Sequence, residues 1–333
     1  MKLNSILFAF SILFSFASNA QQVKLLSNGT KTSLRGLSVV DDNIIWASGS
    51  NGMIAKSTNG GNSFTWIQVP NFEKRDFRDI EAFDSNTAII IAIAEPAQIL
   101  KTIDGGKNWK IVFTDSTKGM FLDAISFYDD RNGIVVGDPI NNVVFITTTT
   151  DGGNTWKKSN QNLPILYSGE AFFASSGSNI IYQKKKTLFV SGGKKSNLYF
   201  NNKKYELPIV QGLESTGANS IAAYKNQAII VGGDFAKDSS TTNNCVLVDL
   251  KTMKFTKPIT APNGYRSCVV YLDEITVISC GLNGIDISKD GGLNWSSFSR
   301  EGFHVVAKAK KGNTFFLAGS KGRIAKFVFN STF

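Results

Sequence analysis

Beyond residue 20 the chain is a succession of short apolar, β-branched runs, each bounded by glycine, asparagine, aspartate or serine, as in FDSNTAIIIAIAEP and YKNQAIIVGGDF. Runs of this kind between turn-forming residues predict strands joined by tight hairpins. No stretch of that region repeats its apolar positions at helical spacing between capping residues, so the expectation is an all-β protein.

One pattern recurs along the chain. STNGGNSF (57–64), TIDGGKNW (102–109), TTDGGNTW (149–156) and SKDGGLNW (288–295) start 45, 47 and 139 residues apart, the last interval being about three times 46. Two units with eroded copies therefore lie between the third copy and the fourth. A second signal opens every unit, where a polar residue precedes or enters an apolar strand: LRGLSVV, FRDIEAF, LDAISFY, GEAFFAS, ANSIAAY, YRSCVVY and FHVVAKA, beginning units near residues 33, 77, 121, 169, 217, 264 and 302. Each unit reads strand, turn, strand, loop, strand, glycine turn, strand. Seven such units predict a seven-bladed β-propeller of four-stranded antiparallel blades, forming one domain over residues 21–333. The last unit offers only three strands, and QVKLLSN just after residue 20 is expected to supply its outer strand, which closes the ring and removes a pair of open edges.

The glycine turns have a chemical logic. Asp104, Asp151 and Asp290 can accept backbone N–H bonds across the turn, the glycines supply positive φ, and Trp109, Trp156 and Trp295 offer large apolar bodies to bury. The pattern S/T-x-D-x-G-x-x-W resembles the Asp-box of the bacterial neuraminidase repeat, complete from Thr102, Thr149 and Ser288; the first copy departs from it at Asn59 and Phe64. In that family the box is structural and lies opposite the ligand face, which implies a scaffold role here. Taken together, SLRGLSVV, DFRDIEAF, GDP at 137–139, SGEAFFASSGS at 168–178, GGDF at 232–235 and GYRSCVVY resemble exported propellers related to the photosystem II stability and assembly factor family. The resemblance implies an assembly or scaffold role with a protein or peptide partner; some relatives carry an oxidoreductase label.

The first twenty residues, MKLNSILFAFSILFSFASNA, hold one charge, an apolar run from Ile6 to Phe16, and small residues at Ser18 and Ala20. They read as a secretory signal peptide cleaved after Ala20, the run being shorter than the roughly 20 residues that cross a bilayer. A periplasmic or secreted, monomeric protein without a membrane span is expected. In that setting Cys268 and Cys280, placed symmetrically about the turn at 272–276, either form a bridge or are two small buried side chains. Cys245 is left over.

The formal charge is +10, with lysines clustered at 184–186, 194–195, 203–204 and 308–311, which read as solvated loops. A nucleic-acid partner is not expected, because it would need these charges on one face with interleaved aromatics, in an exported compartment where nucleic acid is scarce. The chain has no G-x-G-x-x-G opening a helix, no C-x-x-C, no zinc spacing and one histidine, so neither a cofactor nor a metal is expected.

The first polar residue of each inner strand opens onto the mouth of the central channel. These positions are Arg35, Arg78, Asp123, Glu170, Asn219, Arg266 and His304, with Ser50, Glu95, Asp138 and Asp234 expected on the same face at the ends of second strands. Such a ring either satisfies itself through ion pairs and trapped water or receives a carboxylate or other anion on its arginines. A non-catalytic binding role is favoured. The alternatives are an oxidoreductase without a recognisable cofactor motif and a sialidase-like glycosidase using Arg35, Arg78 and Arg266 with Asp123, Glu170 and Tyr265. The glycosidase reading lacks the F-R-I-P segment and has seven units where sialidases have six.

Overall fold

The computed structural model describes residues 22–159, 164–184, 186–201 and 203–328. The leader at 1–20 and Lys185 of the lysine clusters lie outside these residues. Within them the chain is almost wholly β, its one helical element being a single 3-10 turn at Ser320–Gly322. None of the described residues forms a helix long and apolar enough to cross a membrane.

Seven antiparallel sheets follow one another around the ring. Blades 1, 2 and 3 run from Leu34–Val39 to Thr65–Gln68, from Phe77–Ala82 to Lys110–Asp115 and from Leu122–Phe127 to Lys157–Lys158. Blades 4, 5 and 6 run from Ile180–Gln183 to Lys203–Glu206, from Thr216–Tyr224 to Lys254–Thr256 and from Cys268–Tyr271 to Trp295–Ser299. Blade 7 takes Val305–Lys308, Phe315–Ala318 and Ile324–Val328 from late in the chain and Gln22–Ser27 as its outer strand, with Gln22 opposite Val328 and Val23 opposite Phe327. The ring is thus closed by the strand that the sequence assigned to it.

The core lies between the blades, in slices. Strand Ala88–Ala92 shows why its sequence is apolar at every position: Ile90 faces Trp46, Ile54 and Ile80 on the blade 1 side, while Ile89 and Ile91 face Ile125 and Val135 of blade 3. The two-residue period of a strand sends alternate side chains into different slices.

Antiparallel order places the turn between first and second strands, and the turn between third and fourth, on one face; the remaining connections lie on the other, the mouth. The third-to-fourth turns are the glycine motifs. Asp104 Oδ1 accepts the Thr102 hydroxyl at 3.0 Å and the Asn108 amide at 2.9 Å, and Trp109 Nε1 donates to the Gly106 carbonyl at 3.1 Å. Asp151 and Asp290 repeat this with Thr149 and Ser288, each at 2.8 Å. Asn59 stands in for aspartate, its Oδ1 accepting the Ser57 hydroxyl at 2.9 Å, because the turn needs an acceptor there and not a charge. Trp295 Nε1 reaches the Gly292 carbonyl at 2.9 Å, whereas Trp156 Nε1 is buried without a partner among the described residues. A second set of aspartates tightens the first hairpins: Asp41, Asp84, Asp129 and Asp273 each accept two successive backbone amides.

Cys268 lies directly opposite Cys280, and these two and Cys245 are buried free thiols.

The unit expected to begin near residue 169 departs from its neighbours. Glu170–Ala171 pairs with Gly192–Gly193, which joins the sheet of blade 5, and the inner strand proper of blade 4 begins only at Ile180. Residues 172–179 leave the sheet and enter the channel. The sequence FFASSGSN is small or polar after its two phenylalanines, the composition needed to cross a space lined by other backbones.

The second glycine of each motif touches the preceding blade. A Cβ on Gly292 (φ 95°) would stand 2.6 Å from Ile229 Cδ1, whereas one on Gly291 (φ 73°) would meet nothing within 4 Å. Gly291→Ala therefore carries backbone strain alone, about 1 kcal/mol, and Gly292→Ala adds the clash for a total of about 2–3 kcal/mol. Urea unfolding of the two variants should show this order; equal losses would mean that the interblade contact costs nothing to disturb.

Candidate functional site

The mouth is built by a repeated irregularity. In blades 1, 2, 3 and 5 the pairing of first and second strands slips by one residue, between Leu34 and Gly36, Phe77 and Asp79, Leu122 and Ala124, and Ala218 and Ser220. The extra residues are Arg35, Arg78, Asp123 and Asn219. A bulge turns its residue out of the sheet's alternation, here toward the axis.

Residues 172–179 form the floor. Ser176 Oγ donates to the Ser267 carbonyl of blade 6 at 2.7 Å, and Ser175 Oγ donates to Asn219 Oδ1 of blade 5 at 3.0 Å. Arg35 and Arg78 point Nη1 at the carbonyls of Ser175 and Ala174, each at 3.4 Å. Gly177 lies against the buried Asp79 of blade 2, where a Cβ would come within 2.2 Å of Cγ. The plug closes the channel, so the mouth is a blind cup of roughly 350 Å³.

Two unlike walls line the cup. The basic wall is Arg35 and Arg78, with the imidazole of His304 beside them; the apolar wall is Phe121, Phe172, Phe173, Phe235 and Leu282. Phe173, Phe235 and Tyr265 stack edge to face at 5.9 and 6.2 Å, and the Tyr265 hydroxyl donates to Asn219 Oδ1 at 2.7 Å. Arg78 keeps one ion pair, with Asp76 at 3.2 Å, and among the described residues Arg35 has none. Burial, and then the neighbouring Arg78, lower the Arg35 pKa to about 10, which still leaves it charged at neutral pH. His304 is pushed down to about 3 by burial and then by Arg35, Arg323 and Arg78; it is neutral, with Nε2 3.3 Å from Ser33 Oγ and Nδ1 unpartnered among the described residues.

Carboxyl groups sit below and beside this wall. Asp138 lines the cup and accepts the Phe172 amide at 2.9 Å, and burial raises its pKa to about 6. Asp123 is fully buried; the amides of Asp138 and Ala174 approach it without closing a well-formed hydrogen bond. Burial, then the charge of Asp138, hold its carboxyl well above the usual range.

Several residues expected at the mouth do not line the cup. Arg266 is 1% exposed and is consumed by its own blade: Nε donates to Asp286 Oδ2 at 2.6 Å, Nη1 to Asn283 Oδ1 and the Tyr265 carbonyl, and Nη2 to the Asn263 carbonyl. Glu170 is buried inside blade 4, accepting from Ser191 Oγ, Asn197 Nδ2 at 2.8 Å, Tyr199 at 2.7 Å and the Tyr167 amide at 2.9 Å. Glu95 is exposed outside the cup and accepts the Gly119 amide at 2.6 Å; Asp234 caps its own turn at the Ala236 amide; Ser50 accepts the Ser33 amide at 2.9 Å. The three arginines of a sialidase-like triad are accordingly not brought onto one point, and Glu170 does not reach the cup. Among the described residues no group of three or more His, Cys, Asp or Glu could hold a metal ion.

The apolar wall and the plug were absent from the sequence reading. A signal existed for the plug, in the run Ala174–Ser178 where a strand would demand β-branched residues.

Fold and site together define a seven-bladed β-propeller whose mouth is blind, basic on one side and aromatic on the other. Among solved structures, YCF48 bound to a D1 peptide is similar at 16% identity and a TM-score of 0.65, over 95% of this chain and 97% of that one. YCF48 from Cyanidioschyzon merolae is similar at 17% identity and a TM-score of 0.64, over 92% and 98%. The WD40 propeller domain of Doa1 is similar at 12% identity and a TM-score of 0.62, over 93% and 98%. At these identities the likeness is one of fold. No family model and no curated protein sequence matches the chain.

The two kinds of arginine should separate experimentally. Arg266→Met leaves Asp286 buried without its counter-charge, held only by Asn263, and should cost about 3–5 kcal/mol of stability, whereas Arg35→Gln should cost under about 1 kcal/mol; chemical denaturation measures both. Asp138 titrates higher in the fold than the unfolded value near 3.9, so its neutral form contributes stability below that value, which is lost as pH rises through about 6. Asp138→Asn should therefore be more stable than the parent at pH 7.5, by about 1–3 kcal/mol, and equal to it near pH 4. A constant difference across that range would show that Asp138 does not titrate as its burial requires.

Proposed function

We propose that this chain is an exported, non-catalytic binding protein of the assembly-factor kind, whose mouth holds a polypeptide segment through an anionic group, a carboxylate foremost. The observation that carries the reading is the state of Arg35 and Arg78. Two guanidinium groups face a cup with their Nη1 atoms hydrogen-bonded only at 3.4 Å to plug carbonyls among the described residues, Arg35 without an ion pair there and Arg78 with one, to Asp76, while elsewhere in the same ring Arg266 is fully paired. A guanidinium fork receives a carboxylate bidentately, and in a half-buried cup that pair is less screened by water than on an open surface.

The opposite wall sets the rest of the ligand. Phe121, Phe172, Phe173 and Phe235 offer rings against which an apolar side chain packs, so the segment presents an anionic group and an apolar one close together. The plug stops it from threading the ring, and it enters and leaves by the same face. The likeness to YCF48, which is described bound to a D1 peptide, supports a propeller face that takes a polypeptide. The partner itself is identified by this chemistry and not by that name.

The experiment is affinity capture from the native exported fraction, comparing the protein with Arg35→Gln/Arg78→Gln, followed by mass spectrometry and by titration with peptides from whatever is captured. The double variant should keep its melting temperature within a few degrees and lose affinity for those peptides by about tenfold to a hundredfold, one charge-assisted pair per arginine. Equal capture by both proteins would remove the arginines from the site.

A further inference from the structure

Outside the cup, a second concentration of positive charge lies at the shoulder between blades 3 and 4, where the connection leading to Glu170 meets the outer strand of blade 4, Lys203–Glu206. Tyr167, 49% exposed, stands in the connection leading to Glu170, and beside it Ile165 is 68% exposed. Lys204 Nζ lies 3.9 Å from the centre of the Tyr167 ring and 3.4 Å from the Ile165 carbonyl, and Lys195 Nζ lies 6.0 Å from the same ring. Lys194 lays its methylenes over Gly169, and its amide bonds to the Gly169 carbonyl at 2.8 Å. Among the described residues these three lysines make one ion pair, Lys195 with the exposed Glu206 at 3.1 Å. Among the described residues neither Lys194 nor Lys204 has an acidic partner within ion-pair distance.

Two features set the shoulder apart from an ordinary solvated lysine loop. Lys204 sets its ammonium group on one exposed aromatic ring, with Lys195 at 6.0 Å from the same ring, so that two like charges share an apolar platform. The shoulder is also tied to the cup along the chain, which passes from Tyr167 at the surface through the buried Glu170 to Phe172 and Phe173 of the apolar wall. We propose that Tyr167, Lys194, Lys195 and Lys204 form a second subsite, which takes the acidic side chains of an extended peptide whose other anionic group lies in the cup. This rests on the peptide-binding reading of the mouth. The partner is then an acidic segment with apolar residues between its charges, read at two basic poles separated by an aromatic floor, an arrangement in which charge complementarity sets register and direction.

The test is selection from a random dodecapeptide library with free carboxyl termini, against the unaltered protein, Lys195→Gln/Lys204→Gln and Arg35→Gln/Arg78→Gln. Selected peptides are remade with Asp and Glu replaced by Asn and Gln, and both forms are titrated by fluorescence anisotropy. The acidic form should bind the unaltered protein about tenfold tighter than its amide form. The lysine variant should lose that ratio and keep the affinity for the amide form; the arginine variant should weaken both forms and keep the ratio. An unchanged ratio in the lysine variant, no excess of acidic residues among the selected peptides, or a library without binders would each overturn the proposal. Phosphatidylglycerol vesicles that bind the unaltered protein, and are lost by a lysine variant whose peptide ratio is intact, would make the shoulder a lipid contact instead. An arginine variant that binds both forms like the parent would remove the cup from peptide binding and leave the shoulder's own result to stand.

Discussion

The contact between Gly177 and Asp79 governs the middle of this molecule. A chain can cross the channel only where it has no side chain to collide with the carboxyl of blade 2, and the positive φ of 68° at that glycine gives the turn that carries it back to its own blade. Asp79 can accept so close a neighbour because it is buried and fully occupied, one oxygen taking the Ile80 amide and the other the Ile125 amide, both at 2.8 Å. Once the segment crosses there, its carbonyls fall under Arg35 and Arg78, its serines reach blades 5 and 6, and a pore becomes a cup.

The polar ring around the axis divides into two halves with different fates. On the side of blades 4, 5 and 6, Glu170, Asn219 and Arg266 are each saturated by neighbours, so they hold the fold and have nothing to offer a ligand. On the side of blades 7, 1 and 2, His304 and Arg35 face the cup with long contacts only, and Arg78 keeps a single ion pair, with the half-exposed Asp76. The plug explains the asymmetry: blade 4 gives up part of its inner strand to make it, and the residues on that side close around the gap. Like residue types at like positions thus serve opposite ends, because one set is desolvated against partners and the other against a cavity.

What was legible in the sequence was what local chemistry determines. Asp104, Asp151 and Asp290 close turns within eight residues of chain, and the spacing of those turns counts blades even where two are worn away. The closing strand at Gln22–Ser27 was legible because a three-stranded unit at one end and a lone strand at the other solve each other's exposed edges. The bulges that aim Arg35 and Arg78 were not, since a one-residue slip of register leaves no mark on apolar periodicity. Nor was the pairing of Arg266 with Asp286, which depends on how one hairpin folds over another. The apolar wall was hidden for a related reason: Phe121, Phe173 and Phe235 come from three separate connections and meet only in the closed ring.

That Gln22–Ser27 and Ile324–Val328 are neighbours in one sheet has a topological consequence. The molecule is a circle in which the covalent starting point is only one of several equivalent cuts. A chain joined between residues 22 and 328 and opened instead at an exposed connection between two blades would contain the same seven sheets in the same cyclic order. Which blade is called the first is a property of the polypeptide and not of the ring, and the place of the mouth on that ring is set by the one blade that lends its backbone to the axis.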